Sequence, residues 1–211
     1  MGEEYFDLEV HIDEASKSWS PDEVFYVQDL KQRKLYINEG IFESNPDVFG
    51  TIHNILQYNT DDKGIPIEER KPILLYVSST GGSVDLGFQI IDAILNSKTP
   101  VYTINLGFQY SMGFLIGLAG HKRFAMSHAK YLMHDGSTLI VDSMSKAKDQ
   151  MDFQIKQEDR IKDFILSKSK ITPEEYDAKY SKEWYMFADE AKVCGFVDYI
   201  IGVDCDLDEV I

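Results

Sequence analysis

A chain of 211 residues that is 44% hydrophobic can bury a substantial core and suits one domain with a small appendage, which excludes a disordered chain. The 21 basic and 36 acidic side chains leave a net charge of −15, so an electrostatic footprint on a phosphate backbone, and with it a nucleic-acid partner, is excluded. Two cysteines, Cys194 and Cys205, lack a repeated spacing and read as inert thiols of a reducing compartment. The opening Met1-Gly2-Glu3-Glu4 carries no basic-then-apolar signal, and no apolar run reaches the roughly 18 residues of a membrane span. A soluble cytoplasmic protein without a membrane partner is expected.

In chain order, residues 1–33 are acidic and aromatic without clear periodicity and form an unassigned arm, in which Ser20-Pro21-Asp22-Glu23 reads as a helix start or a turn. Lys34 to Asn38 reads as a strand. Asp47 to Tyr58 reads as a helix, because Val48, Ile52 and Ile55 fall at i, i+4 and i+7; His53 beside them is structural. Asn59 to Lys71 is a polar surface loop with Gly64 and Pro66. Pro72 to Val77 is the near-continuous apolar run of a strand covered on both faces in a parallel sheet. Ser83 N-caps a helix to Asn96, and Lys98-Thr99-Pro100 stops it. Val101 to Leu106 is a strand that breaks at Gly107, the helix through Phe114 and Leu118 follows, and Lys130 to Met133 is a further strand. This rhythm predicts right-handed βαβ units and an α/β core.

Past the turn Asp135-Gly136-Ser137, an amphipathic helix is predicted over about 143–168, with Met144, Met151, Ile155, Ile161 and Ile165 forming a thin stripe. At 1.5 Å per residue it would be about 37 Å long, too long for a small sheet, so it should project and pair with another copy. Thr172-Pro173-Glu174-Glu175 is a capping-box start for a short helix. Ala188 to Val193 is a helix ended by Gly195, Val197 to Ile201 is the last strand, and the acidic tail 202–211 should be loose.

Chemistry gathers at strand ends, as it does in open α/β sheets. Ser111, in Gly107-Phe108-Gln109-Tyr110-Ser111-Met112-Gly113, sits on the positive end of the following helix beside unpaired N–H groups, a favourable place for an alkoxide nucleophile and an oxyanion. Ser79-Thr80-Gly81-Gly82-Ser83 repeats the arrangement upstream, and His134 follows a third strand.

In order and spacing, Ser79 to Val84, Ser111-Met112-Gly113, Met133-His134, and Phe187-Ala188-Asp189-Glu190-Ala191 followed by Gly195-Phe196-Val197-Asp198 resemble the proteolytic subunits of the Clp protease (ClpP), a family of serine peptidases. The resemblance spans about residues 34–201. It implies an α/β fold of the ClpP/crotonase type, a repeated β-β-α superhelix with the long helix projecting as a handle. The implied activity is ATP-dependent endopeptidase action on unfolded proteins inside an oligomeric barrel, two stacked seven-membered rings fed by an AAA+ unfoldase ATPase, without metal or cofactor.

Residue by residue, the resemblance makes Ser111 the nucleophile, His134 the general base, and the N–H groups of Gly82 and Met112 the oxyanion hole. The family's third position, an aspartate, falls on Glu183, whose extra methylene moves the carboxylate by about 1.5 Å, a displacement that can cost about 100-fold in rate. Glu183 orients His134, or it points to solvent and leaves a dyad, with Asp135 and Asp198 as fallback partners. Gln109 and Tyr110 are larger than the residues the family places before its serine and would reshape nearby pockets; Thr80 replaces a proline. Leu74, Tyr76 and Ile201 match the pocket that docks the ATPase, with Asn96 where an aromatic is usual. His121 and His128 are structural or surface groups. Two further readings are a catalytically silent ring subunit, motivated by Glu183, Gln109 and Tyr110, and an acyl-CoA enzyme of the crotonase type.

Overall fold

The computed structural model describes residues 19–210. Among them seven strands form one sheet: β1 (Lys34–Ile37), β2 (Ile73–Ser79), β3 (Val101–Tyr110), β4 (Lys122–Met126), β5 (Lys130–Met133), β6 (Trp184–Phe187) and β7 (Tyr199–Ile201). The helices are α1 (Pro21–Lys31), α2 (Pro46–Asp61), α3 (Val84–Asn96), α4 (Met112–Leu118), α5 (Met144–Ser167), α6 (Pro173–Tyr180) and α7 (Ala188–Val193). The main path β1-β2-β3-β4-β7 is parallel throughout, as the alternation of strand and helix predicts.

The apolar run of β2 is covered on both faces. Ile73, Leu75 and Val77 enter the main core, while Leu74 and Tyr76, one residue out of phase, enter a smaller cluster with Ile104, Phe124, Ile201 and Val210. The Ser83 hydroxyl caps α3 by accepting the Leu86 N–H at 3.3 Å.

The sequence reading names no strand at β4 or β6, and three further elements differ from its expectation. β3 does not stop at Gly107. It continues to Tyr110 because its second half changes partner from β4 to β5, and the buried Asn105 side chain bridges the change, accepting the Gly107 N–H and donating to the Lys130 carbonyl, each at 3.0 Å. The arm contains α1, with a full capping box between Ser20 and Glu23; residues 1–18 lie outside the described residues. The tail is not loose: Ile201 bridges Cys205, a 3-10 turn follows over Leu207–Glu209, and Val210 is 6% exposed. It is anchored because Val210 completes the smaller cluster.

α5 projects as expected. Only Ile161 and Ile165 are buried in it, and Met144 and Phe153 in its first half are 90% and 63% exposed.

At the other edge, Asp62 stands just past the end of α2 and is 1% exposed. Its carboxylate at the negative end of a helix dipole needs compensation, which Arg33 supplies with two hydrogen bonds of 2.6 and 2.7 Å and Thr99 with one of 2.7 Å. The Arg33 guanidinium holds the carboxyl below its usual range. A depressed carboxylate contributes stability above its unfolded pKa of about 3.9 and loses it as pH falls through the lower folded value. Asp62→Asn is therefore expected to cost about 3 kcal/mol at neutral pH. In thermal melts the gap to wild type should narrow below about pH 4; a gap independent of pH would contradict the assignment.

Candidate active site

β3 ends at Tyr110 and α4 begins at Met112, so Ser111 alone turns the chain. It does so at φ 54 and ψ −121, one of two non-glycine residues with positive φ among the described residues. Such strain persists only where the surroundings over-determine it. Here the Ser111 N–H donates to the Leu132 carbonyl at 2.9 Å, its own carbonyl accepts the Phe114 N–H at 3.0 Å, and all seven residues of α4 are buried.

The glycine pair follows β2 and presses on this turn. A Cβ on Gly81 (φ 93) would lie 2.7 Å from the Ser111 Cβ and 2.9 Å from the Met112 nitrogen, and one on Gly82 (φ 146) would lie 2.5 Å from the Ile41 carbonyl oxygen. Only residues without a side chain permit this approach. Ile41 bonds one edge of the pair, donating to the Gly81 carbonyl and accepting the Ser83 N–H, which leaves the Gly82 amide on the other edge. The Gly82 and Met112 N–H groups have no backbone acceptor among the described residues.

His134 leaves the end of β5. Because Ser111 is tied to Leu132, two residues earlier, the ring reaches the same small cavity, about 50 Å³, that Ser111 and Met112 line with Val84, Glu158 and Tyr180. Larger clefts of about 690 and 860 Å³ lie between α2 and α3 and around Arg123 and Lys168, and neither touches Ser111 or His134.

β5 and β6 pair antiparallel, with Met133 opposite Trp184 on the last rung. His134 and Glu183 are the residues that lie just past that rung on the two strands. Glu183 is exposed, and its carboxylate holds the neighbouring Tyr185 phenol above its ordinary value. Tyr185 in turn packs edge-on against Tyr110, with ring centres 5.9 Å apart. Glu183 thus has the Tyr185 hydroxyl as a partner.

The fallback carboxylates differ. Asp198 is committed to Arg123, which donates to it at 2.6 and 3.0 Å, so it does not serve His134. Asp135 is exposed, and its N–H donates to the Tyr180 carbonyl. Gln109 does not reshape the pocket: it is 3% exposed and packs against Gly117, because strand alternation sends it to the face opposite Tyr110. His121 accepts the Val101 N–H at 3.0 Å, a structural role, and His53 and His128 are exposed.

Leu74, Tyr76 and Ile201 meet in the smaller cluster on the sheet face away from Ser111, where Tyr36 stacks on Tyr76 at 4.9 Å. Burial pushes the Tyr76 phenol up to about 12. Asn96 is exposed on α3, its side chain donating to the Asp92 carbonyl. Among the described residues no group of three or more His, Cys, Asp or Glu is placed to hold a metal, and no helix is long and apolar enough to cross a membrane.

Two site residues escape sequence reasoning. Gly81 is read with Gly82 but not as the residue in contact with Ser111. Glu158 goes unremarked in the sequence, although it precedes Ile161 and Ile165 at i, i+3 and i+7 on the buried stripe.

Comparison with known proteins adds independent findings. The profile of the Clp protease family matches residues 65–204. The chain is 26% identical over 200 residues to the ATP-dependent Clp protease proteolytic subunit 2 of Treponema pallidum, covering 92% of this chain and 95% of that one. It is 32% identical over 173 residues to the protein of the same name from Prochlorococcus marinus, covering 78% and 77%. It is 29% identical over 180 residues to the ATP-dependent Clp protease proteolytic subunit 1 of Shouchella clausii, covering 84% and 89%.

Proposed function

The chain belongs to the Clp protease family, and from that premise we propose that Ser111, His134 and the Gly82 and Met112 amides are the machinery of its serine-peptidase activity. It is a Clp-type peptidase of the serine class, an oligomeric hydrolase that works with Clp ATPases. In our reading residues 34–201 are the peptidase domain, residues 1–33 an arm and residues 202–211 a tail, and the protein acts in the cytoplasm.

Ser111 Oγ attacks the scissile carbonyl while His134 accepts its proton, and His134 then returns that proton to the leaving amine. The negative oxygen that develops is met by the Gly82 and Met112 N–H groups, each worth about 2.7–4 kcal/mol at the transition state. Glu183 orients the His134 ring from the neighbouring strand end. The observation that carries this reading is the shared cavity, lined by Ser111, Met112 and His134 from two separate strand ends.

A fluorophosphonate probe should label Ser111 in the assembled particle, and a native mass of fourteen chains should accompany it. Probe labelling at another residue, or none in active material, would overturn the assignment. The stacked heptameric rings rest on α5, whose exposed apolar residues Met144, Met151, Phe153 and Ile155 suit contact with another copy.

We place ATPase docking at Leu74, Tyr76 and Ile201. Tyr76→Ala is expected to lower ATPase-driven degradation of a folded protein about 30-fold relative to hydrolysis of a short peptide, the size of an interface anchor. An unchanged ratio would remove the docking role.

A further inference from the structure

Glu158 is one of two described side chains with a buried polar atom that lacks a hydrogen-bond partner, the other being Tyr176. Its Oε1 faces Gly136 in the turn after His134, at 3.9 Å from where a Cβ would stand, while Oε2 is the buried atom. The walls around it are apolar, with Met112, Leu115, Ile161 and Ile165 completing the cavity beside Ser111.

A carboxyl so placed is poorly compensated. Burial first, then the charges of Asp135 and Asp159, push it above its ordinary range, and it in turn helps to raise the Tyr176 phenol. Lys162, one turn further along α5, does not answer it: its ammonium pairs with Asp177 at 2.5 Å and lies over the Tyr176 ring. The donor and the positive charge that this group calls for are therefore not supplied by its neighbours.

We infer that Glu158 is a specificity-determining residue: the cavity receives the substrate side chain preceding the scissile bond, and the Glu158 carboxyl selects a basic one, lysine or arginine. Their methylene stems can lie along the apolar walls of the cleft while the charged head meets the carboxyl. Their heads bring N–H donors and the missing charge to the Glu158 carboxyl, which lines the cavity. Asp135, exposed at the turn beside Gly136, adds to the same negative field. The inference rests on Ser111 being the nucleophile, since that role makes this the cavity next to the cleaved bond.

Fluorogenic peptides that differ only in the residue before the cleaved bond, lysine or methionine, test it in the assembled particle. Wild type is expected to give a kcat/KM ratio favouring lysine by about tenfold, and Glu158→Leu to lower that ratio about 100-fold, with Glu158→Gln between them. The same ratio in wild type and Glu158→Leu would overturn the inference and leave Ser111 untouched. If Glu158→Leu does not assemble, the wild-type ratio decides alone, and a preference for methionine overturns the proposal. Hydrolysis of neither peptide, with Ser111 unlabelled, would remove the reading of Ser111 and this inference with it.

Discussion

Ser111→Ala and His134→Ala are each expected to lower kcat on a short peptide by about 10⁵- to 10⁶-fold, and the double variant should lose no more than either alone. The reason is that the two side chains share one event, transfer of the hydroxyl proton as the carbonyl is attacked. Once either is gone there is no step left for the other to accelerate. KM should move little, because peptide contacts with the cavity do not depend on that proton. Hydrolysis persisting at about 10³- to 10⁴-fold over water would reflect the amides and substrate binding alone. A double variant whose loss is the product of the two single losses would show that Ser111 and His134 act separately. Glu183→Ala belongs to the same series. A fall of about 100-fold or more marks a triad, and no fall marks a dyad with Glu183 turned to Tyr185.

Those residues are legible in the sequence because each sits where the backbone has an unusual requirement. A serine between a strand and a helix, a glycine pair after an apolar run, and a histidine at the end of a third strand all mark chain reversals, and the parallel order of β2, β3 and β5 brings the reversals to one end of the sheet. What the sequence hides are long-range decisions. Gly107 looks like a strand stop, yet β3 continues because β5 arrives to pair with it, a contact with residues about twenty positions away. Gln109 looks too large for the neighbourhood of Ser111, yet it faces the other way and fills space left by Gly117. The tail looks like solvated acid, but a single valine at its end finds an apolar cluster. Glu158 is the most instructive case. An acid among so many charges on α5 reads as surface, and only the two isoleucines that follow it on one helical face give away which way it points.

Gly81→Ala is expected to lower kcat by about 10³-fold or more while the sheet stays folded. The added carbon would stand 2.7 Å from the Ser111 Cβ, 2.8 Å from the Tyr110 carbonyl oxygen and 2.9 Å from the Met112 nitrogen, at a φ of 93 that side chains rarely adopt. The nearby atoms belong to backbone and to a Cβ, so none can swing aside as a flexible side-chain end could. Relief requires Gly81 to withdraw from the Ser111 turn. That withdrawal separates the Gly82 amide from the Met112 amide and shifts Ser111 relative to His134 at the same time. Losing one oxyanion donor costs about 10²- to 10³-fold, and a displacement of about 1 Å at the nucleophile costs about 10²-fold more. Gly50→Ala provides the contrast. Gly50 lies within α2 with nothing within 4 Å of the added carbon, so the same chemical change there should raise stability by about 0.5–1 kcal/mol and leave kcat alone. Peptide hydrolysis and thermal melts of the two variants decide the matter. Full activity in Gly81→Ala would mean that the glycine pair is only a turn, and that the negative charge is met elsewhere.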